Sequence, residues 1–448
     1  MISRNRRASI ILLLMLTLSL LPVPNRGILL AMPQVQRMVL PNGLVLLMSE
    51  DHSLPLITLR LLVDSGSRRD PLGKEGLAYL TAKGRLLGTS TYSATTFNES
   101  LDFTGASLNA SADDDFAVLS LRILKKDLDK GFDLFMEALT QPTFPREEIQ
   151  QEVQKILAAI QSAEENPGQI AYKVFQKTLF ANNPYGHPVE GTRQSLPQIT
   201  REAISQFHKT YYRPNNAILA VVGDLTPEEI RAKLIPRLSQ WPKAEIPDED
   251  FTTTFAEGPE TIEVNRNITQ ANIIFGHKGI RRKNQDYYAI QVMNYILGGG
   301  GFGSRLFEEI RVKRGLAYRV GSYFAPGKYP GSFQVVLQTK NESAQEAISV
   351  IRQEMARIQK ELVSEEALER TKKYLVGSFP FRLDTQAKLA NSITQAEYYG
   401  LGLDYWKKYP SYINAVTRED VLRVAKSYLH PKKAILVVVG NLEEAGME

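Results

Sequence analysis

The sequence predicts an α+β protein made of two homologous domains, each an antiparallel-rich sheet layered with long helices. Three observations lead there. The first is an internal repeat: TREAISQFHKTYYRPNNAILAVVGDL (200–225) aligns without gaps to TREDVLRVAKSYLHPKKAILVVVGNL (417–442), with 13 of 26 positions identical. Each copy reads as an amphipathic helix, a Tyr-x-x-Pro break, and an apolar strand ending in Gly-Asp/Asn-Leu. An offset of 217 residues is too long for a solenoid repeat and implies a duplicated domain. The second is a set of apolar, β-branched runs at 57–66, 115–124, 271–279 and 331–340, which read as strands. The third is a pair of long amphipathic segments, 147–165 and 343–362, which read as helices and complete the layered arrangement.

These elements divide the chain into an N-terminal domain over 32–240, a linker over 241–262 and a C-terminal domain over 263–448. The linker, WPKAEIPDEDFTTTFAEGPETI, is acidic, threonine-rich and proline-bearing, and lacks helical periodicity. Residues 1–31 stand apart. A basic MISRNRR stretch, an apolar run and a zone ending in a small residue read as a secretory signal peptide. Export, in a periplasmic setting, is therefore expected. The alternative is an uncleaved membrane anchor, although the run is short for a span of about 20 residues.

Composition narrows the chemistry. With 448 residues, 43% apolar and 23% charged, the chain can bury a core in each domain. There is no cysteine, which excludes disulfides, thiolate nucleophiles and cysteine-ligated metal centres. The net charge of +5 falls to about +1 once Arg4, Arg6, Arg7 and Arg26 of the signal segment are removed. A nucleic-acid partner is accordingly not expected.

Five histidines are present, at 52, 187, 208, 277 and 430, and no two have the spacing of a zinc-binding helix. The run LGGGGF (297–302) has neither the Lys-Ser/Thr that completes a P-loop nor a full GxGxxG. Gly298, Gly299, Gly300 and Gly301 read either as a flexible connection between helices or as a loop whose backbone approaches an extended ligand. Beyond it, Arg311 and Tyr318 lie seven residues apart, with Gly315 expected to end the helix and Tyr318 to open a strand. A guanidinium and a phenol converging on one point could donate to a peptide carbonyl, or to the oxyanion it becomes.

With DSGSRRDP, NPYGHPVEGT, LGGGGFGSRLFEEIR and GLAYRVGSYF on the page, the chain resembles the pitrilysin/insulinase-type metallopeptidases, which include mitochondrial processing peptidase. The resemblance spans essentially the whole chain after the signal segment. Active members carry Gly-Leu-Ala-His-x-x-Glu-His where this chain has GLAYLTAK (76–83). The resemblance places the first zinc histidine on Tyr79, the general base on Ala82, the second histidine on Lys83 and the third ligand, a glutamate, on Ala159. Zinc is held by nitrogen, sulfur or carboxylate donors, so this set implies a chain with no catalytic residues or metal of its own. The family also uses an arginine–tyrosine pair seven apart to fix the substrate carbonyl, and Arg311 and Tyr318 match it.

The resemblance thus implies a non-catalytic subunit that binds extended peptide and serves an HxxEH partner holding the zinc. Any membrane attachment would come only through an uncleaved signal. The alternative is a catalytically dead peptide-binding holdase or assembly scaffold. The sequence leaves open whether Lys83 fills the former zinc position by pairing with an acid such as Glu152.

Overall fold

The computed structural model describes residues 33–447, apart from 182, 250–253 and 257. The signal segment and part of the linker therefore lie outside the described residues. Strands β1 (Gln36–Val39), β2 (Val45–Glu50), β3 (Leu56–Val63), β4 (Ser107–Ala112), β5 (Ala117–Leu124) and β6 (Ala217–Gly223) form one sheet, in the order β1-β2-β6-β3-β5-β4. Strands β7 (Glu260–Asn265), β8 (Gln270–Lys278), β9 (Ala317–Ala325), β10 (Ser332–Lys340) and β11 (Ile435–Gly440) form a second, in the order β7-β11-β8-β10-β9. Each sheet has one parallel pair, β2 with β6 and β7 with β11, and is otherwise antiparallel. Apart from β1, the two sheets share one topology, which is the duplication written in strand order.

The four expected strands are β3, β5, β8 and β10, and the two expected long helices are Arg146–Glu164 and Ala344–Ile358. The second stops short of residue 362. Gln359 leaves the helix there and donates through its side chain to the carbonyls of Ala425 and Leu429, at 3.0 and 2.8 Å.

The central strands are buried on both faces. All of β11 is buried, and β3 breaks its burial only at Leu56 and Arg60. A sheet covered on one side alternates apolar with polar residues, so such strands need a second cover. Each half supplies the other's. Helix Pro167–Leu179 packs on β8 and β11, where Ala171, Phe175 and Leu179 join Ile274, Val437 and Val439 in one apolar cluster. Phe175 sits so close to Gly276 that a β-carbon there would lie 2.6 Å from its ring. In return, helix Gln386–Tyr398 packs on β3 and β6, and Tyr398 meets Phe116 edge-on with ring centroids 5.2 Å apart.

A buried ionic seam joins the same surfaces. The fully buried Arg68 side chain pairs with Asp64 and lies 2.6 Å from Glu249. Lys328, from the second half, reaches Asp64 at 2.9 Å and Glu249 at 3.0 Å, and Tyr398 donates to Asp64 at 2.8 Å. Burial pushes the Asp64 carboxyl up, but Arg68, Lys328 and Arg69 outweigh it and hold it well below the usual range. Asp115 accepts from the Tyr185 hydroxyl and from the Lys328 backbone N–H, the latter at 2.7 Å. The DSGSRRDP and NPYGHP motifs therefore act in joining the halves. Breaking such a network is costly because it strands a desolvated charge.

Candidate functional site

Two regions carry the residues singled out in the sequence, and they occupy the same slot in the two sheets: between β3 and β4 in one, between β8 and β9 in the other.

In the first slot lies helix Leu77–Gly84. It begins at Gly76, whose φ of +96° and 2.7 Å approach to the Glu190 carbonyl leave no room for a side chain. The Asp70 carboxyl accepts from the backbone N–H groups of Gly76 and Ala78, both at 2.7 Å, satisfying donors at the helix start. At the other end a β-carbon on Gly84 would lie 2.9 Å from Ile149, so helix Arg146–Glu164 crosses there. Leu77, Ala78, Leu80, Thr81 and Ala82 are buried. Tyr79 and Lys83 are half-buried one turn apart, and the Lys83 ammonium lies 5.7 Å from the Tyr79 ring centroid.

Lys83 does not pair with Glu152. Among the described residues the Glu152 carboxylate has its ion pair with Lys155, at 3.5 Å, while Lys83 turns to the tyrosine ring. The reason is local, since Lys155 shares a helix with Glu152 at i,i+3. Burial, then the negative charges of Glu152 and Glu190, raise the Tyr79 phenol. Ala159 is exposed on the same helix, seven residues or two turns beyond Glu152. Tyr79, Ala82, Lys83 and Ala159 do not fit a zinc ion: two are methyl groups, one is a cation and one a phenol of raised pKa. Among the described residues no group of three His, Asp or Glu could hold a metal ion.

The second slot is open. Helix Tyr287–Asn294 runs into a π-turn, Tyr295–Gly299, and after a short 3₁₀ turn the chain resumes as Arg305–Phe307 and a second π-turn, Glu308–Val312. The glycine run packs against β9 at its start and is exposed at Gly299 and Gly301. Gly298 is buried, and a β-carbon there would meet Ser322 of β9 at 2.5 Å. A β-carbon added at Gly299 or Gly300 would lie 2.7 Å from Asn294 or Tyr295. Gly301 alone takes the left-handed region, with φ +54°. The glycines thus seat the turn against β9, where Asn294 and Ser322 exchange hydrogen bonds of 3.0 and 2.8 Å.

That seating presents Arg311 and Tyr318 together. Gly315, at φ +64°, ends the turn, and β9 begins at Ala317. The Arg311 guanidinium carbon lies 4.3 Å from the Tyr318 ring centroid, 4.9 Å from Phe307 and 5.6 Å from Phe302. Glu309, the nearby acid, is taken by Lys313 and Arg314 at 2.6 and 2.7 Å. Among the described residues Arg311 therefore has aromatic faces around it and no carboxylate. Stacking leaves the guanidinium's N–H edge available, and Tyr318, 82% exposed on an edge strand, stands beside it. Phe302 and Phe307 went unread in the sequence, where the signal was their recurrence within nine residues of Arg311.

Residues 45–193 match the family profile Insulinase (Peptidase family M16), and residues 198–375 match Peptidase M16 inactive domain. The chain belongs to the M16 family. It is 27% identical over 423 residues to an uncharacterized zinc protease of Streptomyces coelicolor, covering 92% of this chain and 90% of that one. It is 26% identical to the non-peptidase homolog YmxG of Helicobacter pylori, covering 88% and 90%. A crystal structure of a peptidase M16 inactive domain from Pseudomonas fluorescens superposes with a TM-score of 0.85 at 29% identity, over 91% of this chain and 98% of that one. With the donor set replaced, the chain is a catalytically inactive M16-like protein. Among the described residues no helix is long and apolar enough to cross a membrane.

Proposed function

We propose that this chain is the zinc-less subunit of an exported, two-subunit metallopeptidase, supplying Arg311 and Tyr318 to an active site completed by a homologous HxxEH subunit. The observation that carries the reading is the contrast between the slots: the one that would hold zinc has no donors, while the other presents an arginine held by rings beside an exposed phenol. The partner brings the zinc, and with it the water that attacks the peptide. This chain's part is to bind and orient. The Arg311 N–H edge and the Tyr318 hydroxyl donate to the scissile carbonyl oxygen, and both bonds strengthen as that oxygen gains charge. A residue acting in this way changes kcat more than KM.

The test is reconstitution. The chain without its first 31 residues is mixed with a homologous subunit bearing HxxEH, and hydrolysis of an unfolded peptide is followed. Neither chain alone should turn over, and the mixture should. Arg311→Ala or Tyr318→Phe should then lower kcat by about 10–1000-fold. Full activity in both variants would remove the role, and no activity in any mixture would favour a peptide-holding or scaffold function.

A further inference from the structure

A separate cavity of about 600 Å³ opens on the second half, bounded by helices Tyr287–Asn294, Gln386–Tyr398 and Tyr405–Asn414 and by the Phe379–Arg382 turn. Its floor carries Phe379, which stacks on the buried Tyr409 with ring centroids 4.0 Å apart. The Arg282 guanidinium lies 3.7 Å from the Tyr287 ring centroid and donates to the Tyr405 hydroxyl at 3.2 Å. Arg382 lies 5.8 Å from Phe379 and 5.9 Å from Tyr409. Phe381, 66% exposed, stands at the rim.

The charge in this cavity is unbalanced. No aspartate or glutamate lines it. Lys388 is neutralised by Asp384 at 2.8 Å, whereas among the described residues neither Arg282 nor Arg382 has a carboxylate within ion-pair distance. Arg282 stacks on Tyr287 and donates to Tyr405, and the exposed Arg382 lies beside Phe379, so two cations border a space walled by flat apolar surfaces. Such a space favours a molecule that is itself flat and negatively charged, and the volume is that of a small-molecule site.

We propose that this cavity binds an aromatic organic anion, a planar ring carrying a carboxylate or phosphate, with the charge on Arg282 and Arg382 and the ring against Tyr287 and Phe381. The site lies apart from Arg311 and Tyr318 and does not rest on the peptidase reading. Helix Gln386–Tyr398 lines the cavity on one side and covers β3 and β6 on the other. A ligand here therefore stabilises the packing of the halves by mass action.

Isothermal titration of the chain lacking residues 1–31 tests this, with adenosine 5′-monophosphate and indole-3-acetate as probes. Inorganic phosphate, adenosine and indole are the controls, and thermal melting is followed in parallel. At least one ring-bearing anion should bind with a Kd below about 1 mM. The controls should bind about 10-fold more weakly or worse, since each lacks half of the recognition. Which probe wins distinguishes a phosphate from a carboxylate ligand. Arg382→Gln, a rim substitution that leaves the floor intact, should weaken binding about 10–100-fold and remove the probe's effect on melting. Arg311→Ala should leave binding unchanged. Absence of binding by both anions, equal binding by the neutral rings, or unchanged affinity in Arg382→Gln with its fold confirmed by circular dichroism would each overturn the proposal.

Discussion

The two halves of this protein repeat one topology and use it in opposite ways. Between β3 and β4 the chain forms helix Leu77–Gly84, closed by Asp70 at one end, crossed at Gly84 by a second helix, and buried along most of its length. Between β8 and β9 the matching segment is broken by two π-turns and ends with a half-buried arginine and an exposed tyrosine. The repeated helices diverge as well. His208 in the first copy is half-buried and packs on Phe144 and Tyr212, where the second copy has Ala425. Duplication preserved the strands and their order, and left the connections free to become a packed wall on one side and a presented surface on the other.

Filling Gly298 with a methyl group should disturb the second slot most. A β-carbon 2.5 Å from Ser322 has no space, so Gly298→Ala should destabilise by about 1–3 kcal/mol and displace Arg311 from Tyr318. Melting temperature and the reconstituted kcat report the two effects. A variant as stable as the native chain would mean that the turn can move off β9.

A smaller difference separates the repeated helices, and pH exposes it. Burial, followed by the charge of Arg85, lowers the His208 imidazole to about 3, and its Nε2–H donates to the Leu139 carbonyl at 2.9 Å. The folded state thus holds this histidine neutral while the unfolded chain protonates near pH 6.5. Its contribution to stability is present above pH 6.5 and is lost as the pH falls toward 3, at up to about 1.4 kcal/mol per pH unit. Asp113 and Asp114, raised by burial to about 6 and 7, act with the opposite sign over part of that window. Comparing His208→Ala with the native chain isolates the histidine. The variant should lose stability less steeply between pH 6 and 4 in denaturant titrations, and equal slopes would rule out a neutral buried imidazole.

The least effect is expected in the first slot. Lys83→Ala removes a half-buried ammonium and its ring contact, which should cost about 1 kcal/mol or less and leave reconstituted turnover unchanged. A large loss of turnover would make Lys83 part of the site.

Much of this was legible before folding. The four strands and two long helices followed from apolar periodicity, which records burial directly. The seven-residue spacing of Arg311 and Tyr318 was a weak signal alone, and the resemblance singled out the pair that the fold brings within 4.3 Å. The glycine run was harder, since sequence records that a side chain is missing and not which surface has taken its place. Ser322 of β9 occupies it here. The partner of Lys83 was open for a similar reason: sequence does not say that Lys155, on the same helix, takes Glu152 and that Lys83 turns to the Tyr79 ring.

By itself, the sequence determined the duplication, the layered elements, and the lack of histidine or carboxylate at Tyr79, Ala82, Lys83 and Ala159, because these depend on residue identity and on periods of a few residues. Tertiary structure alone decided which helix covers which sheet. The continuous apolar character of β3 and β11 required a cover on each face and did not say from where. The answer, Phe175 over Gly276 and Tyr398 against Phe116, is set by packing between residues far apart in the chain. The same holds for Asp64, whose partners Lys328 and Tyr398 reach it from the other half.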